Sequence, residues 1–264
     1  MPVNTCGSTR TFSRARRRGG ARNPARLSRK SGIFEDEYLP SAFAADVLEA
    51  NGRSLTERLA ALRMVLSADE PTPTLLGVLV LCPRVRDFVP GAYVQFLRIE
   101  GSRLSEPIVD EEAIDGPLAQ LIRRLDEKLR AHVRTGVDLT SGPREKRTPD
   151  YPIAALEQLT RNAVMHRTYE GTNAPVRVTW FDDRIEILSP GGPFGMVTRQ
   201  NFGAPGLADY RNPSLAEAMK TLGFVQRFGV GIATAKRLLA ENGNPPLEWQ
   251  VEDSHVAMTV RRRA

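Results

Sequence analysis

Cysteine is almost missing from this chain. Its two copies in 264 residues, Cys6 in a polar stretch and Cys82 in an apolar one, have neither metal-ligand spacing nor the density of a disulfide framework, so both read as free thiols and Cys82 as a core residue. Histidine is as scarce, with three copies. His132 and His255 stand alone and read as structural or exposed, and no Ser/His/Asp, Cys/His or metal-cluster spacing emerges. Nucleophilic catalysis and zinc chemistry are therefore unsupported. No apolar run approaches the roughly 18 uncharged residues that cross a bilayer, and MPVNTCGSTRTFSRARRRGG lacks the apolar centre of a secretory signal. A cytoplasmic protein without membrane contact is expected.

One further absence is local. Residues 1 to 34 contain no Asp or Glu, yet hold nine basic residues: Arg10, Arg14, Arg16, Arg17, Arg18, Arg22, Arg26, Arg29 and Lys30. The whole chain carries +6, but without these nine there are 28 basic against 31 acidic residues. The basicity belongs to the arm. Such a segment is too poor in apolar residues to offset its own ordering entropy, so residues 1 to 33 are expected to be a disordered basic tail. It is either a solvated extension or a non-specific ligand of phosphate backbones, DNA among them.

The remainder is ordinary globular sequence, 41% hydrophobic and 26% charged over the whole chain, long enough for one large or two small domains. Ser41 to Glu49 predicts a short helix closed by Asn51-Gly52, and Ser54-Leu-Thr-Glu57 is a capping box that opens another, running to about Leu66. After Pro71-Thr-Pro73, the run LLGVLVLC (Leu75 to Cys82) has strand length. Tyr93 to Ile99 alternates as a strand, and Leu118 to Val133 has helical periodicity through Leu118, Leu121, Ile122, Leu125 and Leu129. Residues Thr135 to Tyr151 are rich in turn formers and predict a loop and a domain boundary.

The stretch Leu156 to Gly171, LEQLTRNAVMHRTYEG, is a helix with more polar detail than a surface position needs. At about 100° per residue, Leu156, Leu159 and Ala163 form the buried stripe, while Gln158, Asn162 and His166 run beside it and reach a cleft without entering the core. A strand follows at Val176 to Phe181, paired as a hairpin with Ile185 to Leu188. Next comes Ser189-Pro-Gly-Gly-Pro-Phe-Gly195, a glycine-rich turn directly after a strand, where backbone can approach a ligand. Farther on, Phe228-Gly-Val-Gly-Ile232 opens a helix that runs to Asn242-Gly243. Its first N–H groups and positive dipole end suit phosphate, although Gly-x-Gly before a helix is often only a tight turn. Arg211 and Asn212 precede Pro213 at a predicted helix start, where they either cap the helix or contact phosphate from a lid.

This order of elements, with EQLTRNAVMH, ILSPGGPFG and RFGVGIATAKRLLAENG, resembles the ATP-binding module of the gyrase, heat-shock chaperone, histidine kinase and mismatch-repair superfamily. More narrowly, Asn162-Ala-Val-Met-His-Arg-Thr-Tyr169, Asp183-Arg-Ile-Glu-Ile, Arg211-Asn-Pro213 and Gly223 to Gly231 look like bacterial transcriptional regulators of the Schlafen AlbA type, the RecG-like ATP-binding proteins. The resemblance spans roughly Phe34 to Val260. It implies an α+β fold with a C-terminal two-layer α/β sandwich of the GHKL (Bergerat) type over residues 145–264, preceded by a smaller helical and α/β linker region over 34–140. It also implies an AlbA-type domain that contacts nucleic acid, yet nothing before Phe34 has the patterning to build one.

By the same resemblance, Asn162 holds Mg²⁺ against the phosphates of ATP. Gln158 stands where the family has a Glu that activates water, and an amide can orient water but cannot take up its proton at neutral pH. Ser189 replaces the Asp that reads adenine. His166, Arg167, Gly191, Gly192, Arg211, Asn212, Gly229 and Gly231 complete the implied nucleotide site, with Tyr169 at the cleft edge. The expectation is an ATP-binding regulatory module that is at most a slow ATPase. Its alternative is a nucleic-acid or protein interaction module with a vestigial pocket. Whether it forms a homo-oligomer stays open.

The segregated arm makes a prediction. Deleting residues 1 to 33 should leave folding intact and remove salt-sensitive binding to DNA. Unchanged affinity of the truncated protein for a duplex at low salt would move the binding surface elsewhere.

Overall fold

The computed structural model describes residues 32–138, 146–226 and 229–263. Most of the expected basic tail lies outside them. The chain divides into two compact units, Met1–Leu81 and Cys82–Ala264.

In the first unit a π-helical turn, Ile33–Tyr38, leads into four short helices: α1 (Leu39–Ala42), α2 (Ala45–Ala50), α3 (Leu55–Ala61) and α4 (Leu75–Leu81). The capping box opening α3 is present, with Glu57 N bonded to Ser54 Oγ at 3.3 Å and the Glu57 carboxylate accepting from Ser54 N at 2.7 Å. The run expected to be a strand, Leu75 to Cys82, is instead helix α4. Thr74 explains the correction, because its Oγ1 accepts from Gly77 N at 3.1 Å and its carbonyl from Val78 N at 3.0 Å, the pattern of an N-cap. A short run that is apolar all round fits a buried helix as well as a buried strand, and the cap decides between them.

The second unit is built on a six-stranded mixed sheet in the order β2-β1-β5-β6-β8-β7. Its strands are β1 (Val94–Ile99), β2 (Ile108–Ile114), β5 (Val176–Trp180), β6 (Arg184–Pro190), β7 (Glu248–Val251) and β8 (His255–Arg261); only β1 and β5 pair in parallel. The expected loop at Thr135 to Tyr151 contains a small antiparallel ribbon, β3 (Thr135–Asp138) with β4 (Lys146–Pro149). Turn-forming residues mark the bend of a hairpin as readily as a loop, and these short strands lack an apolar alternation. The large sheet takes strands from both sides of the boundary expected there.

Helices α5 (Leu118–His132), α6 (Ile153–His166), α7 (Pro213–Thr221) and α8 (Gly231–Asn242) complete an α+β fold. Helix α6 packs on β5 and β6 and against α5, α7 and α8, which makes it the centre of the helical layer. Leu121, Ile122, Leu125 and Leu129 of α5 and Leu156 and Leu159 of α6 are buried, as their periodicity predicts. On β6 the buried residues alternate as Ile185, Ile187 and Ser189, so the strand turns one face to α6. Helix α8 ends at Gly243 with φ 80°, where Asn244 N reaches Leu239 O at 2.9 Å.

Candidate functional site

Helix α6 supplies one wall of a cavity of about 410 Å³. Gln158, Arg161, Asn162, Met165 and His166 line it at i, i+3, i+4, i+7 and i+8, a single helical face. The polar stripe expected from Gln158, Asn162 and His166 is part of this row. Arg161 and Met165 lie outside the i+4 series that marks the stripe; the i+3 series, read from Gln158, reaches Arg161.

The floor comes from two adjacent strands. Ile187 stands opposite Met258 and Ser189 opposite Val256 in the β6–β8 register, and all four line the cavity. Ser189 Oγ donates to Ala163 O at 2.8 Å, and with its one proton committed there the hydroxyl can offer only lone pairs to a ligand. The start of α8 also lines the cavity. Its ladder begins with Thr234 N on Val230 O at 2.8 Å, so the N–H groups of Gly231, Ile232 and Ala233 have no partner within the helix. Gly231 sits against α6 so closely that a Cβ there would lie 2.8 Å from Asn162 Nδ2 and 3.4 Å from Gln158 Oε1. Gly229 also lines the cavity; its neighbours Arg227 and Phe228 lie outside the described residues.

Gly191 and Gly192 line the cavity too, but their N–H groups are committed to the β7–β8 turn, Gly191 N to Ser254 O at 2.7 Å and Gly192 N to Asp253 O at 3.1 Å. Only glycine fits at 192, where a Cβ would lie 2.7 Å from Asp253 O. These two residues shape the wall and cannot cradle a phosphate with their amides.

Three expected ligand residues stand elsewhere. Arg167, Arg211 and Asn212 do not line the cavity. Arg167 leaves the helix with φ −52° and ψ 140°, which turns its side chain into the protein, where it is 1% exposed. Its Nη1 donates to Thr168 O at 2.8 Å and its Nη2 to Ala174 O at 2.6 Å, with the guanidinium 4.7 Å from the Tyr169 ring centroid. Burial pulls the pKa of this arginine below its usual value. Arg211 Nη2 donates to Gly192 O at 3.2 Å and Pro193 O at 3.4 Å, bracing the glycine turn from behind. Asn212 caps α6 rather than α7: its Nδ2 donates to Met165 O at 2.9 Å and to Arg167 O at 2.7 Å. Tyr169, expected at the cleft edge, donates its hydroxyl to Val164 O at 2.8 Å.

The electrostatics of the wall are subdued. Among the described residues Arg161 is the only Lys or Arg on it and Asp209 the only carboxylate. Asp209 is occupied, accepting from Met196 N at 3.1 Å and from Tyr210 N at 2.8 Å. Glu157, next to Gln158 in sequence, is off the wall and paired with Arg130 and Arg161. His166 stacks on Tyr210, ring centroids 5.5 Å apart and planes 16° apart. Burial, with help from the Arg211 guanidinium, pushes its pKa down to about 4, so at neutral pH it presents an uncharged ring to the cavity. Gln158 and Asn162 make no side-chain hydrogen bond with the described residues, which leaves both amides available.

Residues 173–260, a third of the chain, match the family described as "Putative ATP-dependent DNA helicase recG C-terminal". The matched stretch holds β5 to β8, the glycine turn, α7 and α8, and is similar to the ATPase-like domain of that family. A crystal structure of the DIP2311 protein from Corynebacterium diphtheriae superimposes with a TM-score of 0.61 at 19% identity, covering 91% of this chain and 45% of that one. The likeness at this identity is one of fold, and the chain spans less than half the length of that protein. A search of curated proteins returns no match. Among the described residues, no helix is long and apolar enough to cross a membrane.

The cap on α6 can be tested directly. Asn212→Ala leaves two carbonyls without their donor and should cost about 2–4 kcal/mol in denaturant unfolding, and Asn212→Asp, which has the shape but no N–H, should cost as much. An unchanged unfolding midpoint in both would deny Asn212 this role.

Proposed function

We propose that the cavity binds ATP and that the protein uses it as a conformational ligand, with weak hydrolysis or none. The observation that carries this reading is the meeting of the Gln158–Asn162 face of α6 with Gly231 at the start of α8. Two free amides and a helix N-terminus line the same cavity as an apolar patch around a single acceptor oxygen. A purine amino group suits Ser189 in an apolar floor of Ile187, Val256 and Met258. Phosphates suit the α8 N-terminus, where N–H groups and dipole both favour an anion. Asn162 would hold Mg²⁺, since a hard cation that keeps several of its waters needs few protein oxygens. Bound there, Mg²⁺ would neutralise phosphate charge and draw electron density from phosphorus.

The wall argues against efficient hydrolysis. Gln158 can align a water molecule but cannot accept its proton. Glu157 is held by two arginines away from the cavity and Asp209 by two backbone amides. Without a base, ATP serves as a ligand whose effect is mechanical, fixing the two stretches that line the site on either side of α7, Phe194 to Tyr210 and Gly223 to Gln226. Such a module fits a regulator of the Schlafen AlbA type, with the arginine-rich arm as its contact to DNA; both are parts of the proposal.

Two measurements test it. ATP with Mg²⁺ at 100 times its Kd should stabilise the protein by about 2.7 kcal/mol, read as a rise in melting temperature, and Asn162→Ala should abolish the contribution of Mg²⁺ to that shift. Equal shifts with and without the metal in both proteins would reject the assignment of Asn162, and no shift at all would favour a vestigial pocket. In a phosphate-release assay Gln158→Glu should raise turnover by about tenfold or more, because a general base contributes roughly 10² to 10⁴ in rate. If Glu157→Gln instead kills a robust wild-type activity, the base is Glu157 and the reading of this helix fails.

A further inference from the structure

Arg161 sits in the cavity row between Gln158 and Asn162, at the end where α8 begins, and none of the site residues expected from the sequence does what it is placed to do. Its Nη2 is shared by Asp126 Oδ2 at 2.6 Å and Glu157 Oε2 at 3.2 Å, and its Nη1 donates to Phe224 O at 3.1 Å. The guanidinium lies 5.7 Å from the Phe224 ring centroid. Asp126 is 4% exposed, so this is an ion pair formed largely out of water. The pairing is incomplete. Arg161 Nε is buried without an acceptor, and Asp126 Oδ1 without a donor. A guanidinium carries five N–H donors, and the three bonds here leave Nε and one proton of Nη1 unanswered. Nε is enclosed as the side chain stands, so it is the guanidinium of a cavity-lining residue, only partly paired, that could turn outward to an oxyanion, whose several oxygens accept from such a fork.

We infer that Arg161 reads the phosphate end of the nucleotide and so makes affinity rise with the number of phosphates. The inference rests on the nucleotide reading given above and deepens it. It also ties occupancy to the stretch from Gly223 to Gln226. The same guanidinium that would turn toward phosphate holds the carbonyl of Phe224, the residue after Gly223 at the entry to the segment that leads into α8. A phosphate that draws Arg161 competes with Phe224 O and with Glu157, so binding and the placement of Gly223 to Gln226 become one event.

Calorimetry on the full chain with adenosine, AMP, ADP and ATP, each with Mg²⁺, decides it. Wild-type affinity should climb along this series. In Arg161→Met combined with Asp126→Asn, which removes the buried carboxylate that would otherwise be orphaned, the ratio of ATP to adenosine affinity should fall roughly 10- to 100-fold, the scale of charge-assisted hydrogen bonds lost. Glu157→Gln, which relieves Nη2 of one competing carboxylate, should raise that ratio. A ratio unaltered by the double substitution, or ATP and adenosine losing affinity by the same factor, overturns the inference and leaves Arg161 a purely structural residue. Wild-type protein that binds adenosine and ATP equally well also overturns it while leaving nucleotide binding standing. Wild-type protein that binds none of the four removes both.

Discussion

The carbonyl end of α6 is the constraint on which the site depends. A helix leaves its last carbonyls unpaired, and this one ends inside the protein, where an unpaired carbonyl costs about 1–3 kcal/mol. The chain answers from two distant places and one adjacent one: Ser189 on Ala163 O, Asn212 on Met165 O and Arg167 O, and Tyr169, just past the helix, on Val164 O. At about 0.5–1.5 kcal/mol net for each bond, the set reaches a sizeable fraction of the 5–15 kcal/mol that holds a domain folded. Each donor also fixes something else. Ser189 sets the distance of the floor from the wall, and Asn212 carries Arg211 and Asp209 with it. Those two in turn hold the glycine turn, Arg211 through Gly192 O and Pro193 O and Asp209 through Met196 N. The cavity is thus what remains when one helix end has been capped by strand, turn and the start of α7 together.

This explains why Arg167, Tyr169, Arg211 and Asn212 serve as architecture, while His166 of the same run faces the cavity. A buried guanidinium with no carboxylate beside it is expensive, and Arg167 is tolerated because two carbonyls and the face of the Tyr169 ring take its charge. Gly91 leaves room for that guanidinium, since a Cβ there would collide with it.

Periodicity made the helices of the second unit and the β5–β6 hairpin legible, since Leu121, Leu125, Leu156 and Leu159 are buried in the order their spacing implies. The glycine positions of the two turns were legible as well. What sequence could not separate was a ligand from a cap, because Asn and Arg serve both, and the choice depends on contacts such as Asn212 with Met165, 47 residues apart. It also could not tell a buried strand from a buried helix at Leu75 to Leu81, where every residue is apolar and only Thr74 decides. Arg161 escaped for a third reason. The i+3 spacing from Gln158 places it on the cavity face, but its partners Asp126 and Phe224 lie 35 and 63 residues away, so the sequence shows only its i,i+4 pairing with Glu157, which a surface arginine makes as readily.

The charge balance around Arg161 also bears on the amide at Gln158. Arg130 and Arg161 face Asp126 and Glu157, two charges of each sign, so the group is neutral as it stands. Arg161 is the only member of that group on the cavity wall; its charge is balanced by Asp126 and Glu157, although two of its N–H donors have no acceptor. A carboxylate at 158 would be a further negative charge beside the place proposed for phosphate, tolerable only while a divalent cation stood between them. An amide at that position keeps the geometry of a water-aligning group and removes the repulsion, which favours holding an anionic ligand over turning it over. The wall is therefore consistent in its bias: uncharged donors and acceptors at Gln158, Asn162 and Ser189, a neutral imidazole at His166, one guanidinium restrained by carboxylates, and one carboxylate, Asp209, held by two backbone amides. Such a surface can recognise a nucleotide by hydrogen bonds and shape, and it carries little of the fixed charge that drives phosphoryl transfer.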